Sequence, residues 1–276
     1  MPRSKSYANV PLSIAHLCEL DIAPAQLIEY AASAGLSSVG LRIAHASPGG
    51  IEYPLDKAGR ADVRRRIDAT GVSVLYIELI SITETTRASD YKTLFDTGAE
   101  IGATRLTVAG NATDLNLVAD RFAEICVLAR DYGINPDFEF MPFRAIRTFG
   151  EAVEIVRRAG QPNGRILVDT LHVHRSSSPI ADIAKTDPAL IGTLQICDAP
   201  AIPPPPEELV TEARTNRLMP GQGGLDLWSI IDALPADIAI GVEVPLAARY
   251  PGLDPAARLA RMVKETRNFF ERRPLA

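Results

Sequence analysis

The chain is short of the residues that build metal clusters and cross-links: of its 276 residues, three are cysteine and four histidine. Cys18, Cys126 and Cys197 lie far apart and form no CxxC pair, so they frame neither a disulfide scaffold nor a zinc ribbon. They read as reduced packing residues of a cytoplasmic protein. Positive charge is not in excess either. A net charge of −5 and a pI near 5.5 leave no electrostatic footprint for nucleic acid or an anionic membrane. No apolar run approaches the roughly 18 residues of a membrane span, and the opening MPRSKSYANV lacks the apolar core of a signal peptide. Also missing is a glycine-rich phosphate loop: "HLCELDIAP" follows the first strand-like run. What remains is ordinary globular composition, 46% hydrophobic and 23% charged, at a length usual for an enzyme.

Short β-branched runs alternate with helical patterns along the whole chain. The strand-like runs span 11–17, 38–43, 73–79, 105–110, 136–141, 165–170, 191–198 and 238–244. Helical patterns follow each of them. Pro24 opens the first and Gly35 closes it; Lys57–Thr70 is an Arg-rich helix stopped by Gly71; a third runs through "SDYKTLFDTGAEIG". "ATDLNLVADRFAEICVLARDYG" has the cleanest 3.6-residue spacing, and further helices fit Phe149–Ala159, Pro179–Lys185, Leu225–Leu234 and Asp254–Glu271. Such alternation requires parallel strands, and their near-continuous apolar character fits burial on both faces. Eight units in this length predict a single-domain (β/α)8 barrel over residues 1–276, with a doubly wound open sheet as the competing architecture.

One connection is long: Asp198 to Gly224, on the way from the seventh strand to its helix. Loops of more than roughly 12–15 residues are usually lids, binding loops or disorder. Its four consecutive prolines, 203–206, favour a stiff extended path across the barrel mouth, and "EELVTEAR" suggests a short helix. The segment is therefore a candidate lid, with a loose surface excursion as the alternative.

In such a barrel, reactive groups sit at the carboxyl ends of the strands. There the sequence offers Glu78, Glu139, Asp169 with His172 just beyond, Gln195 and Asp198, and Glu243. Any one buried carboxylate could be answered by a salt bridge, but the strands supply few cations, Arg42 and Arg105 being the exceptions. Several acids converging on one mouth call for a cation. Three carboxylates and the Gln195 carbonyl make an oxygen-rich shell that suits Mg²⁺ or Mn²⁺ better than zinc.

These residues carry a resemblance. Glu139 on the fifth strand, "VDTLH" on the sixth, a polar residue followed by Asp on the seventh and "VEVP" on the eighth resemble the sugar phosphate isomerase/epimerase superfamily. These are the xylose isomerase-like barrels, which also include repair endonucleases. "R-x-x-P-G-x-G" (Arg217, Pro220, Gly221, Gly223) in the long loop adds to the likeness. The resemblance implies one divalent metal held by Glu139, Asp169, Glu243 and, where the family usually has His, Gln195. Mn²⁺ or Mg²⁺ is favoured over Co²⁺ or Zn²⁺. It further implies Glu139 and Glu243 as paired acid and base, His172 as a catalytic donor and Arg217 as a substrate contact. An exposed loop arginine is the alternative for Arg217.

The chemistry implied is proton abstraction α to a carbonyl through a metal-stabilised enediolate, giving isomerisation or epimerisation of a keto-sugar or related polyol. Loss of a β-hydroxyl would instead make the enzyme a dehydratase of a keto-polyol of the inosose or dehydroshikimate type. A non-catalytic sugar-binding or partner subunit is the third reading. His16, at the end of the first strand, is a candidate for substrate binding or a satisfied core histidine. Glu78 is a second acid or an acceptor for sugar hydroxyls, and Asp198 a substrate ligand or loop anchor. His174 matches no role and is expected to pack or cap, while His45, Asn111 and Trp228 give no signal. The expected partner is a small molecule, with neither nucleic acid nor membrane, and the family admits a homodimer.

Overall fold

The computed structural model describes residues 10–44 and 49–273. His45 and the first nine residues of the opening stretch lie outside the described residues. The strands are β1 (Leu12–Ile14), β2 (Ser38–Arg42), β3 (Ser73–Ile82), β4 (Arg105–Gly110), β5 (Asn135–Glu139), β6 (Arg165–Asp169), β7 (Ile191–Ile196) and β8 (Ala239–Val242). Each pairs in parallel with the next, and β8 pairs with β1, so the sheet closes into the expected barrel. The open-sheet alternative falls.

Helices α1 (Pro24–Ser33), α2 (Lys57–Thr70), α3 (Lys92–Glu100), α4 (Leu115–Arg130) and α5 (Phe149–Ala159) follow the first five strands. Their ends follow from local chemistry. Pro24 opens α1, Asp56 and Asp114 cap α2 and α4, and Thr148 with Glu151 forms a reciprocal capping box on α5. Beyond β6 come α6 (Thr170–Arg175), α7 (Ile180–Lys185), α8 (Leu209–Thr215), α9 (Leu227–Ala233), α10 (Leu246–Arg249) and α11 (Pro255–Glu271).

Two short helices were not legible as such. The α6 turn starts directly off β6 because Asp169 caps it, accepting the N–H groups of Leu171 at 2.7 Å and His172 at 3.1 Å. The α10 turn follows β8 after three residues, with Pro245 at its N-cap position and no side-chain cap. The expected first strand is also shorter, giving way at His16–Glu19 to a 3₁₀ turn.

Inside the barrel the two-residue period of the strands sorts side chains into levels. Low in the barrel, Arg105 Nη1 donates to both oxygens of Asp137 at 2.8 Å, and Thr193 Oγ1 donates to Asp137 Oδ2 at 2.6 Å. Two residues further along β5 and β7 stand Glu139 and Gln195. Between these levels the Tyr76 ring fills the interior, fully buried. It fits only because position 40 is glycine: a Cβ there would lie 2.2 Å from the ring.

The long loop is tied down rather than loose. Asp198 pairs with Leu218 in an antiparallel bridge, and its carboxylate accepts four backbone N–H groups. Oδ1 takes Ala199 at 2.8 Å and Leu225 at 3.1 Å; Oδ2 takes Gly221 at 3.0 Å and Gly223 at 2.8 Å. Gly223 is required, since a Cβ would sit 2.2 Å from the Ala199 carbonyl oxygen. The Arg175 guanidinium holds α8 through both oxygens of Glu212 at 2.7 Å. Of the two readings of this segment, a loose excursion therefore fails.

Gly40→Ala should lower stability by about 2 kcal/mol through overpacking against Tyr76. Chemical denaturation should show a lower midpoint at unchanged slope. An unchanged midpoint would mean the ring is free to move aside.

Candidate active site

A cavity of about 370 Å³ opens at the carboxyl ends of the strands. Its wall takes Arg42 from β2, Glu78 from β3, Glu139 from β5, Gln195 from β7 and Glu243 just past β8. His172 comes from α6 and Arg217 from the long loop. Strand register explains the convergence, with Asp169 opposite Gln195 and Arg42 opposite Glu78. Leu79, Met141 and Phe143 give the cavity an apolar flank.

At its floor lies a contact that the sequence did not show. Arg217, expected to touch substrate, is only 3% exposed and lies among the carboxylates. Its Nη1 is 2.6 Å from Asp169 Oδ2 and 3.0 Å from Glu243 Oε2, and its Nε donates to the Ala213 carbonyl at 2.7 Å. The strands supply no cation to these acids, since Arg105 serves Asp137 and Arg42 serves Glu78. The loop supplies it instead, and the "R-x-x-P-G-x-G" segment puts it there: Asp198 clamps Gly221 and Gly223, so the chain four residues upstream is fixed over Asp169. The exposed-arginine alternative is excluded.

Other expected residues find definite places. His16 does not line the cavity. Its Nδ1 accepts the Arg42 N–H at 2.8 Å, its Nε2 donates to the Ile22 carbonyl at 2.8 Å, and its ring stacks on Tyr53. Both nitrogens are used, so it is the satisfied core histidine of the two readings. Asp198 is the loop anchor described above. Glu78 lines the cavity with Oε2 held by Arg42 at 2.6 Å and Oε1 buried without a partner. His172 lies with Nε2 3.5 Å from Glu139 Oε1, its Nδ1 unpartnered and its ring edge-on to Phe143. His174 is half-buried and away from the cavity wall, as expected of a bystander.

Tyr76 was missed, although it touches Gln195: the amide Nε2 donates to the phenol oxygen at 3.1 Å, leaving the buried Gln195 Oε1 unpartnered. The alternation Gly40, Arg42 against Tyr76, Glu78 was the available signal. Arg144, in the irregular stretch after β5, and Arg214, on the short helix α8, are also on the wall and were not singled out from the sequence.

The electrostatics separate the three acids. Burial would raise Asp169, but Arg217 and then His172 outweigh it and hold Asp169 low, ionised at neutral pH. Burial pushes Glu243 up to about 8, against Arg217 and with help from the Asp169 and Glu78 charges. Glu139 is raised well above the carboxylate range by burial and then by Glu243 and Asp169. His172 falls to about 4 because it is buried, despite Asp169, and is neutral.

Glu139, Asp169 and His172 could hold a metal ion, since one donor atom from each lies within 4.8 Å of the others. Two further observations fit a divalent cation. Three ionised carboxylates against one guanidinium would leave two negative charges, and the orphaned Gln195 oxygen is a neutral donor facing no hydrogen.

Fold and site together define a closed (β/α)8 barrel with an acidic pocket at the strand ends. The chain belongs to the xylose isomerase-like TIM barrel family, whose profile matches residues 28–269. It is 25% identical over 156 residues to an inosose isomerase of Halalkalibacterium halodurans, covering 53% of this chain and 54% of that protein. It is 27% identical over 159 residues to a 3-dehydroshikimate dehydratase of Pseudomonas aeruginosa, covering 55% of this chain and 24% of that one. The chain thus spans about half the length of the curated isomerase it matches and less of the dehydratase. A solved structure of the IolI protein with a bound zinc atom superposes with a TM-score of 0.78 at 18% identity, over 94% of this chain and 96% of that one. That likeness concerns the fold.

The raised Glu243 makes a testable statement about stability. Its carboxyl titrates near 4.5 when free and near 8 when folded, so between those values the folded state holds the extra proton and stability falls as pH rises. His172 works the other way, but only below its ordinary 6.5. Glu139, raised in the same direction, adds to the fall, so from pH 6.5 to 8 the metal-free protein should lose about 2 kcal/mol or more, and Glu243→Gln should make the slope shallower. Thermal melts that stay level or rise over this window would contradict the assignment.

Proposed function

We propose that this chain is a divalent-metal-dependent enzyme that moves a proton on a carbon next to a carbonyl, acting on a keto-sugar or related polyol as an isomerase or epimerase. The observation carrying this reading is the pair Glu139 and Glu243. Both are buried on one cavity wall with raised proton affinity, beside an Asp169 kept ionised. Two carboxyl groups that can each carry a proton are what proton removal and return require. The curated inosose isomerase is a keto-polyol enzyme by name, which agrees with that chemistry.

The residues that would hold the metal are Glu139, Asp169, Gln195 and Glu243. When bound, the ion supplies positive charge that lowers the cost of enolising a ketone. With Gln195 in place of an imidazole the set is all oxygen and favours Mn²⁺ or Mg²⁺; His172, near Glu139, is the nitrogen whose participation would favour Zn²⁺ or Co²⁺. In this chain's own chemistry one of Glu139 and Glu243 takes the proton as the other returns it, and neutral His172 donates to a substrate oxygen. Arg217 keeps Asp169 ionised and holds Glu243 in place. The apolar flank of Leu79, Met141 and Phe143 excludes water from the reacting carbon. The free, buried Cys18, Cys126 and Cys197 are in keeping with a reducing, cytoplasmic setting.

Dehydration of a keto-polyol is the second reading. It starts with the same proton removal, and acids that stay protonated near neutrality, with His172, suit expulsion of a β-hydroxyl; the dehydratase relative points the same way. A purely binding role gives no reason for two buried acids with displaced titrations.

The test is deuterium incorporation from D₂O into a panel of keto-sugars and keto-polyols, with Mn²⁺ or Mg²⁺ present. Exchange α to the carbonyl is expected, with at least a 1,000-fold loss in Glu139→Gln and Glu243→Gln. A new carbonyl or stereochemical product identifies the isomerase or epimerase, and an alkene the dehydratase. No exchange across the panel by metal-loaded protein would overturn the reading.

A further inference from the structure

Two of the four residues assigned to the metal already hold a cation. Arg217 Nη1 lies 2.6 Å from Asp169 Oδ2 and 3.0 Å from Glu243 Oε2. The other oxygen of Asp169 accepts the Leu171 and His172 N–H groups at 2.7 and 3.1 Å, so neither of its oxygens is idle. Glu139, Asp169 and His172 bring donor atoms within 4.8 Å of one another; Glu243 stands outside that group, on Arg217. As folded, the floor is closed around a guanidinium.

Arg217 and a divalent ion exclude each other there. An ion shared by Asp169 and Glu243 needs their oxygens at about 2.0–2.1 Å in the case of Mg²⁺. An Arg217 N–H now points at those oxygens. Two cations on one pair of buried carboxylates also repel strongly, because little water screens them. The guanidinium has somewhere to go, since Arg217 lines the cavity of about 370 Å³ beside Ala213 and Thr215. Only its side chain has to move. Asp198 fixes the backbone beyond it through Leu218, Gly221 and Gly223, and Arg175 fixes α8 before it through Glu212.

We infer that Arg217 is the resident counter-cation of the metal-free site: it holds the ion's place on Asp169 and Glu243, and swings into the cavity, leaving the Ala213 carbonyl, when a divalent ion takes those oxygens. This rests on the metal-dependent reading proposed above and adds to it what the loop arginine does. Keeping Asp169 ionised then passes from the guanidinium to the ion. Arg217 lowers the affinity for metal, and in return keeps two buried carboxylates answered until the ion arrives.

The experiment measures Mn²⁺ affinity from the paramagnetic resonance signal of the free ion, in the full chain and in Arg217→Ala. It is run at pH 8.5, above the value of about 8 at which Glu243 titrates, so that fewer protons compete. Removing a competitor tightens binding, and Arg217→Ala should bind Mn²⁺ at least tenfold more tightly. Methylguanidinium returns the competitor from solution. It should weaken Mn²⁺ binding by Arg217→Ala as its concentration rises, and change the unsubstituted protein's affinity less than twofold. An arginine that only braces the carboxylates gives the opposite sign. Binding by Arg217→Ala that is unchanged or weaker, or that methylguanidinium leaves alone or strengthens, would overturn the inference. A second measurement needs no folded variant. The Arg217 Nε–H donates to the Ala213 carbonyl at 2.7 Å and should exchange slowly with water in nitrogen-15 NMR spectra. Mg²⁺ or Zn²⁺, at a concentration that displaces Mn²⁺, should speed that exchange at least tenfold, and equal protection with and without the ion counts against the swing. If neither protein binds Mn²⁺, the metal-dependent reading fails and takes the inference with it. Binding without the tightening retires the inference alone.

Discussion

The contact between Arg217 and the carboxylates of Asp169 and Glu243 is the constraint on which the site depends. A buried acid is costly unless something answers its charge, and this barrel places three at one mouth. The strands do not answer them. A loop arginine does, and much of the molecule's irregular structure serves to bring it there. Asp198 gathers four N–H groups, Gly223 allows the backbone to pass close to Ala199, and Arg175 pins α8 through Glu212. A stretch whose length marks it as a candidate lid contributes Arg217 to the site's wall.

One guanidinium among three acids leaves the balance incomplete, and the incompleteness is chemically useful. Asp169, with Arg217 on one oxygen and two helix N–H groups on the other, stays ionised. Glu139 and Glu243 hold their protons further up the pH scale. Similar carboxyl groups are thereby split into a fixed charge and two proton carriers. The orphaned Gln195 oxygen, whose amide nitrogen is turned to Tyr76, adds a neutral oxygen donor to the same cavity wall.

Much of this was legible in the sequence because strand periodicity carries it. Alternation of two residues along β5, β7 and β8 sends Glu139, Gln195 and Glu243 inward, and the repeated strand–helix rhythm required parallel strands, eight of them pointing to a closed barrel rather than an open sheet. What could not be read depended on the path of loops. His16 looked available at a strand end, but the chain turns into a 3₁₀ helix there and Ile22 and the Arg42 N–H take both ring nitrogens. The pairing of Arg217 with Asp169 and Glu243 was not legible because nothing in its neighbours reveals how far Asp198 pulls the loop inward. The pairings of Arg42 with Glu78 and of Tyr76 with Gln195 needed cross-strand register, which one strand's pattern does not contain.

The central claim is that a divalent ion displaces protons from site carboxyls whose proton affinity burial has raised. It is tested most directly by titrating Mn²⁺ into the metal-free protein at pH 7 in buffers of different ionisation enthalpy. The account predicts one ion per chain, with release of about one to two protons as Glu139 and Glu243 ionise. Saturable binding without proton release, or no saturable binding, would contradict it.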